Sequence, residues 1–336
     1  FDPAVTGAAI ASVQLPNGAI PHHPDGVIDP WNHVEAAMGL DVAGRHDDAA
    51  RAYDWLVRNQ RGDGSWYAGY RNDEVIERTL DANFVAYVAA GLWHHYVATG
   101  DIETLERTWA SVDRAMTFLL QLQEASGAFL WARDEFYRPW PRPLLTSTSC
   151  IYLSLRCAVA IAETLGDERP DWELAAQSAF DSVNHRSERF EAKDRFAMDW
   201  YYPVLAGIVT GHAAKDRLAE RWDEFVVEPW GVRCVSDRPW ITTGETSEFL
   251  LALDVVGMKE EANAVFEWLH HLRGDDGGYW MGANFPTIDV WPKQKPTWAS
   301  GSVLLAWDAL ERSSATSGFF RGETFPDPLE EVVDPL

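Results

Sequence analysis

The stretch RAYDWLVRNQRGDGSW, residues 51–66, ends a helix-like segment with a polar side chain, a glycine turn and an aromatic residue. Its spacing of Gln60, Gly64 and Trp66 returns elsewhere in the chain, at Gln123, Gly127 and Phe129, at Arg273, Gly277 and Tyr279, and more faintly at Gln14 and Gly18. Each copy follows apolar residues at helical spacing. Because such self-similarity marks a repeat architecture, the sequence predicts a fold of repeated helical hairpins.

Two kinds of segment, which differ in the distribution of charge, alternate along the chain. Six segments are apolar on nearly all faces, as expected of buried helices: 30–44, 82–97, 147–164, 200–211, 245–256 and 298–312. The others carry charge on one face, as expected of an outer layer: 46–60, 102–123, 170–186, 213–227 and 258–272, with 2–14 as a short sixth. This alternation predicts an all-α fold, an (α/α)6 toroid with short β-turn insertions.

We expect residues 1–312 to form this toroid as a single catalytic domain and residues 313–336 to form a peripheral C-terminal tail. The net charge is -24. Because nucleic-acid affinity comes mainly from Lys and Arg side chains that neutralise phosphates, nucleic acid is an unexpected partner. The longest apolar stretch, residues 84–93, is too short to span a bilayer, so no membrane association is expected. The oligomeric state stays open.

The sequence carries no pattern for a cofactor or a metal ion. Three scattered cysteines form neither a disulfide framework nor a CxxC site, which favours a reduced, cytoplasmic compartment. The histidine doublets 22–23, 94–95 and 270–271 lack partners at a recognised ligand spacing. Gly-rich phosphate loops and a GxSxG motif do not occur. We therefore expect no cofactor and no metal.

In a toroid of this type, the residues just before the buried helices converge on one mouth. Four of these six positions carry a carboxylate: Asp29, Asp81, Asp199 and Glu245. An Asp before a helix is also a favourable N-cap, so capping alone accounts for any one aspartate. Glu is not a favoured cap, and Glu248 follows Glu245 one turn later. For Glu245 the alternative is a solvated helix end, where acidic residues are favoured.

Many of the 17 tryptophans lie beside these carboxylates or in turns that rim the mouth. Flat aromatic rings next to carboxylates and amides suit sugar rings, which present apolar faces and hydroxyl edges. The predicted substrate-binding residues are Trp31, Asn32, His33, Asp81, Asp199, Trp200, Tyr201, Tyr202, Trp240, Glu248 and Trp298. The alternative is that aromatic residues plug the hairpin turns, which is the favoured interpretation for Trp66.

Glycoside hydrolysis needs two carboxylates across the scissile bond, one protonated to assist the leaving oxygen and one ionised to activate water or to attack. We predict that Asp29 and Glu245 form this pair. The first and fifth hairpins of a six-membered ring are near neighbours across the ring seam and can face one cleft. Asp199 is the main substitute, and the acid and base roles stay open.

Two segments resemble six-hairpin glycosidases, the clan of glucoamylase-like and trehalase-like enzymes. DPWNHVEAAMGL, residues 29–40, resembles their first inner helix, where an acidic residue contacts the sugar. TTGETSEF, residues 242–249, resembles the segment with their late catalytic Glu. The resemblance implies a glycoside hydrolase with a polysaccharide or oligosaccharide substrate.

Within this clan the chain also resembles the mycobacterial methylmannose polysaccharide hydrolases, which are intracellular endo-mannosidases. This closer resemblance implies a cytoplasmic, α-1,4-linked and partly methylated mannan as the substrate. Its methyl groups would suit the abundance of Trp at the mouth.

The opening stretch also resembles the QW motif of terpene cyclases and protein prenyltransferases, in which the motif is structural. The DxDD and DDxxD motifs of the cyclases do not occur in the sequence. Two alternatives to a glycosidase stay open, namely a terpenoid enzyme and a non-catalytic carbohydrate-binding toroid.

Overall fold

The computed structural model describes residues 1–72 and 74–326, and its secondary structure is mostly helical. The helices are α1 Pro3–Ala11, α2 Pro30–Val42, α3 His46–Asn59, α4 Ala82–Thr99, α5 Ile102–Leu120, α6 Leu145–Thr164, α7 Pro170–His185, α8 Ala197–Leu205, α9 Gly211–Glu220, α10 Trp222–Phe225, α11 Thr243–Val255, α12 Lys259–Leu269 and α13 Thr297–Glu311. The mainly helical fold expected from the sequence is confirmed.

An inner layer of helices is buried on most faces: α2, α4, α6, α8, α11 and α13. Each packs against the next in chain order, and α13 packs back against α2, so the order of contacts closes on itself. These helices correspond to the six apolar segments of the sequence. The fourth inner helix, α8, lies earlier in the chain than the predicted segment 200–211. It ends at Leu205, and Gly207 follows with a φ of 75°. That conformation favours glycine and does not continue a helix.

The outer helices are amphipathic, and each of α3, α5, α7, α9 and α12 packs against the inner helix that precedes it. In α5, Leu105, Val112 and Met116 are buried while Glu106 and Arg107 are exposed. Helix α1 packs against α13 and takes the sixth outer position. The outer segment predicted at 213–227 is interrupted, since α9 ends at Glu220 and the short α10 follows.

The repeated glutamines fasten each hairpin turn to the next outer helix. Gln60 Nε2 donates to the carbonyl oxygens of Gly64 at 3.0 Å and of Ser111 in α5 at 2.8 Å. Gln123 makes the equivalent pair of bonds to Gly127 and to Ala175 in α7. The aromatic residues Trp66, Phe129 and Tyr279 are fully buried behind these turns. The motif is therefore architectural, as the sequence indicates for Trp66.

Short antiparallel strands connect the helices at the ends that carry the predicted carboxylates. Two-stranded ribbons pair β1 Gly69–Arg71 with β2 Glu74–Glu77 and β3 Leu80–Asp81 with β4 Ala132–Arg133. A five-stranded sheet contains β5 Val226–Val227, β6 Gly231–Arg233, β7 Trp240–Thr242, β8 Gly282–Asn284 and β9 Asp289–Val290 in that order. This sheet is larger than the turn insertions expected from the sequence, and β3 and β7 lead directly into α4 and α11.

Helix α6 is long and apolar enough to cross a membrane, with a mean hydropathy of 1.4, but 72% of that window is buried inside the fold. This burial is typical of a core helix. After α13 the chain stays in contact with the body of the protein. Phe319 is buried, and Arg321 forms an ion pair with Asp254 of α11. Residues 327–336 of the predicted C-terminal tail lie outside the described residues.

Candidate active site

The predicted carboxylates lie at the N-terminal ends of the inner helices, but in two kinds of position. Asp29 and Asp81 are the N-caps of α2 and α4, where their side chains accept backbone hydrogen bonds. Asp199 and Glu245 are not caps, since α8 begins at Ala197 and α11 at Thr243. The expectation that these two residues precede their helices is wrong. Both instead occupy the first turn, free of a capping role.

Asp29 is held by donors on both of its carboxylate oxygens. Oδ1 accepts the Asn32 backbone N–H at 2.9 Å, and Oδ2 accepts the Asn32 side-chain amide at 2.7 Å. His22 Nε2 lies 2.6 Å from the same Oδ2 atom. The side chain is nearly buried. These contacts fix the orientation of the carboxylate and connect it to Asn32, which lines a cavity beside it.

This cavity, which we call the acidic chamber, has a volume of about 240 Å³. Its lining comes from α2, α8, α11 and α13: Trp31, Asn32, Glu35, Met198, Gly244, Glu245, Glu248, Trp298 and Ser302. The Thr242 hydroxyl donates a hydrogen bond to Glu245. A Cβ at position 244 would lie 2.7 Å from the Trp298 ring, so glycine there lets the indole pack over the start of α11.

Two further glutamates of the acidic chamber carry raised pKa values. Burial raises the pKa of Glu35 to about 7, although a 2.9 Å hydrogen bond from the Tyr87 hydroxyl opposes the rise. Burial also raises the pKa of Glu248 well above its ordinary value, and the charge of Glu35 adds to the rise. The Tyr201 hydroxyl donates to Glu248. Like charges in a low dielectric disfavour double ionisation, so this pair retains a proton near neutral pH.

A second cavity of about 260 Å³, which we call the apolar chamber, adjoins the first. Its lining is Trp31, Asp81, Asn83, Phe84, Trp131, Leu144, Thr146, Ser147, Lys193, Phe196, Met198 and Asp199. Burial raises the pKa of Asp81 to about 7, with the charge of Asp29 adding to the rise. Burial also raises the pKa of Asp199, which accepts a 2.6 Å hydrogen bond from Thr146.

Trp31 and Met198 line both chambers and form the wall between them. The Trp31 ring is fixed by aromatic neighbours, with ring centroids 5.5 Å from Tyr87, 6.0 Å from Tyr202 and 6.2 Å from Phe84. Rings at these distances and inclined to one another are in the preferred arrangement of aromatic pairs. The two chambers are therefore adjacent parts of one cleft, with a rigid indole between them.

Comparison with known proteins assigns the family. No protein-family model matches the chain. The MMP endo-(1,4)-3-O-methyl-alpha-D-mannosidase of Mycolicibacterium hassiacum is 44% identical over 329 residues, which is 98% of this chain and 91% of that relative. The chain belongs to this mannosidase family. It is therefore a glycoside hydrolase, and the resemblance to the methylmannose polysaccharide hydrolases is confirmed.

Solved structures share the fold of this mannosidase family at low sequence identity. A wild-type glycosidase superposes with a TM-score of 0.75 at 16% identity, covering 92% of this chain and 96% of that chain. A D-mannose isomerase gives a TM-score of 0.70 at 10% identity, covering 91% and 95%. A rhamnosidase from Klebsiella oxytoca gives 0.64 at 16% identity, covering 93% and 64%. Because these proteins include an isomerase, the fold alone does not specify the chemistry.

Most of the predicted site residues come together in the cleft formed by the two chambers. The acidic chamber contains Trp31, Asn32, Glu245, Glu248 and Trp298, and the apolar chamber contains Trp31, Asp81 and Asp199. Asp29 adjoins the acidic chamber through Asn32. Tyr201 and Tyr202 are buried behind the chambers, where they contact Glu248 and Trp31.

Three predicted substrate-binding residues lie away from both chambers. His33 is fully buried between Ile20 and Ala52, and burial lowers its pKa to about 4. Trp200 stacks on Phe249 at 4.7 Å in the interior. Trp240 lies in β7, where its indole N–H donates to the Trp291 carbonyl at 2.8 Å. Among these residues, His33 and Trp200 are core residues rather than sugar contacts, which corrects the expectation from the sequence.

The sequence prediction missed Glu35, the acidic residue in the middle of α2. The sequence does contain a feature that points to Glu35, because an ionisable side chain in a helix that is apolar on most faces needs a partner or a function. Within residues 1–72 and 74–326, no group of three or more His, Cys, Asp or Glu side chains is arranged to hold a metal ion.

Proposed function

We propose that this glycoside hydrolase cleaves internal α-1,4 linkages of a polysaccharide built from 3-O-methylmannose. The relative from Mycolicibacterium hassiacum, which bears that activity in its name, aligns with nearly the whole chain. The observation that carries the proposal is the acidic chamber, which is lined by Glu245, by Asn32 with its hydrogen bond to Asp29, and by the indoles of Trp31 and Trp298. Such a chamber combines aromatic surfaces for a sugar ring with the carboxylates that hydrolysis requires.

Asp29 and Glu245 are the reacting carboxyl groups in this proposal. One protonates the glycosidic oxygen as the bond to the anomeric carbon breaks, and the other activates water or attacks that carbon. The donors around Asp29 and the Thr242 hydroxyl at Glu245 hold both groups in place before substrate binds. Preorganised groups contribute to catalysis because they need little reorganisation during the reaction.

Glu35 and Glu248 line the acidic chamber, and their raised pKa values keep a proton on the pair near neutral pH. A protonated carboxyl donates a hydrogen bond while an ionised one accepts, so the pair can contact a sugar hydroxyl as donor and as acceptor. Tyr87 and Tyr201 fix the two side chains from behind. In this role the pair orients the sugar over Asp29 and Glu245.

We also propose that the closed order of inner helices is an (α/α)6 toroid. The support is the pairing of every inner helix with an outer one and the contact between α13 and α2. The proposed setting is the cytoplasm, consistent with three free cysteines in the described residues. The net charge of -24 supports a neutral polysaccharide rather than nucleic acid as the partner.

A time course of product lengths tests the proposed activity. The purified protein is incubated with 3-O-methylated α-1,4-mannan, and the products are sized by mass spectrometry. Internal cleavage predicts oligosaccharides of intermediate length early in the reaction. Absence of products, or release of single sugars alone from the first time point, would contradict the proposal. Binding without cleavage would instead favour a carbohydrate-binding scaffold.

A further inference from the structure

The two chambers differ in chemistry although they share a wall. The acidic chamber contains three glutamates. The apolar chamber is also lined by Asp81, Lys193 and Asp199, but most of its accessible surface is apolar and comes with Phe84, Trp131, Leu144, Phe196 and the shared wall. A sugar chain bound along the cleft places consecutive units in consecutive chambers. The chamber beside the reacting carboxylates must accept the bond that is cleaved, so the apolar chamber receives a neighbouring unit.

We propose that the apolar chamber is the subsite for a 3-O-methylmannose unit, with its apolar side chains around the methyl ether and with Asn83 and Ser147 contacting hydroxyl groups. This inference rests on the proposed function and adds to it the residues that distinguish a methylated unit from an unmethylated one. The unit lies next to the scissile bond, on the far side of Trp31 and Met198 from the acidic chamber.

The polar atoms of the apolar chamber support a ligand with hydroxyl groups. Asn83 and Ser147 are 3% and 6% exposed. In the part of the chain that the structure describes, neither Asn83 Oδ1 nor Ser147 Oγ has a hydrogen-bond partner. Buried polar atoms are normally paired, because leaving one unpaired is costly. Both residues line the chamber, so a bound sugar that reorients either side chain supplies the missing hydrogen-bond partner.

The apolar side chains favour a methyl ether over a free hydroxyl. A hydroxyl placed among Phe84, Leu144 and Phe196 leaves its donor without a partner and loses its water, which disfavours binding. A methyl ether has no donor to lose and buries apolar surface. Asp81 also lines the chamber, and burial raises its pKa to about 7. When protonated, its carboxyl can donate to the ether oxygen.

Titration calorimetry with the Glu245→Gln variant measures this preference without turnover. The probes are two α-1,4-mannooligosaccharides of equal length, one methylated at every 3-oxygen and one unmethylated. We expect the methylated probe to bind roughly tenfold more tightly, because one methyl group in an apolar pocket gives discrimination of that order. Equal affinities for the two probes would overturn the inference.

A second substitution locates the preference in the apolar chamber. Leu144 and Phe196 are the N-cap residues of α6 and α8 and make no side-chain capping bond. Asn is favoured at N-caps, so Leu144→Asn and Phe196→Asn each make the chamber polar without weakening a helix. In each variant, the ratio of the affinities for the methylated and the unmethylated probe is expected to fall close to one. A ratio that survives both substitutions would contradict the assignment.

Leu310→Asn is the matched control, because Leu310 is half-buried at the opposite end of α13. It should keep the tenfold preference. Since the readout is binding, a failure of the proposed hydrolysis and a failure of this subsite are separate results. Wild-type protein that releases no sugars refutes the function, whereas equal Kd values refute the subsite.

Discussion

The side-chain amide of Asn32 donates a 2.7 Å hydrogen bond to Oδ2 of Asp29, which joins the N-cap of α2 to the lining of the acidic chamber. The same aspartate accepts the Asn32 backbone N–H through Oδ1. A residue that satisfies a helix end is thereby also held rigidly beside a cavity. Capping and catalysis are compatible roles for Asp29, and the capping interpretation does not exclude the functional one.

Asn32→Ala should lower kcat on methylated mannan by roughly ten- to a hundredfold, because hydrogen bonds to charged groups are worth about 1.5–3 kcal/mol. The melting temperature should change little, since the backbone bond to Asp29 remains. Asn263→Ala removes an exposed amide from α12 and serves as the control. Wild-type kcat in Asn32→Ala would show that this contact does not position a carboxylate needed for turnover.

Glu35→Gln should change how stability depends on pH. Burial raises the folded-state pKa of Glu35 from 4.5 to about 7, so the folded protein binds more protons than the unfolded chain between these values. The free energy of unfolding therefore falls as pH rises through that window. Denaturant titrations from pH 4 to pH 8 should show a steeper fall for wild type than for Glu35→Gln. Parallel curves would contradict the raised pKa.

Tyr87→Phe should extend this loss of stability to higher pH. The Tyr87 hydroxyl stabilises the ionised form of Glu35 and lowers its pKa. Removal of the donor raises that pKa further, so the fall in unfolding free energy should continue above the wild-type window. The double variant with Glu35→Gln should lose the additional pH dependence. If the free energy of unfolding stops falling at the same pH in Tyr87→Phe as in wild type, the hydrogen bond has no effect on the pKa of Glu35.

Gly64→Ala should destabilise the protein by more than about 1–2 kcal/mol, the cost of a left-handed conformation for an L-residue. Gly64 has a φ of 91°, and a Cβ there would lie 2.1 Å from the Arg114 carbonyl oxygen. Gly62→Ala, two residues earlier, meets no atom within 4 Å and is the control. Equal thermal stability of the two variants would show that the turn does not depend on close packing against α5.

The repeat architecture could be predicted from the sequence because its determinants are local. Gln60, Gly64 and Trp66 lie within one turn, and the spacing of apolar residues distinguishes inner from outer helices. The location of Asp29 and Glu245 near the N-terminal ends of inner helices could be predicted, although Glu245 lies in the first turn of α11 rather than before it. The ends of α8 and the interruption after α9 depend on backbone conformation, which apolar spacing does not reveal.

The side chains that face the cleft were harder to predict. Adjacent residues on a helix point about 100° apart, so Asn32 lines the cleft while His33 packs in the core. In the same way, Asp199 lines the cleft and Trp200 packs in the core. The neighbourhood of Glu35 depends on α11, which is distant in the chain. The apolar chamber also could not be predicted, because its lining residues come from the N-terminal ends of several helices. In the sequence, the apolar residues among them look like ordinary core residues.

The most direct test of the proposed catalytic pair is kcat on 3-O-methylated α-1,4-mannan for Asp29→Asn and Glu245→Gln. Asp101→Asn is the matched control, because Asp101 caps the outer helix α5 as Asp29 caps α2. With circular dichroism confirming folding, both site variants should lose roughly 10²- to 10⁴-fold in kcat, the usual contribution of one acid or base. Asp101→Asn should retain wild-type turnover. Wild-type turnover in either folded site variant would contradict the assigned pair.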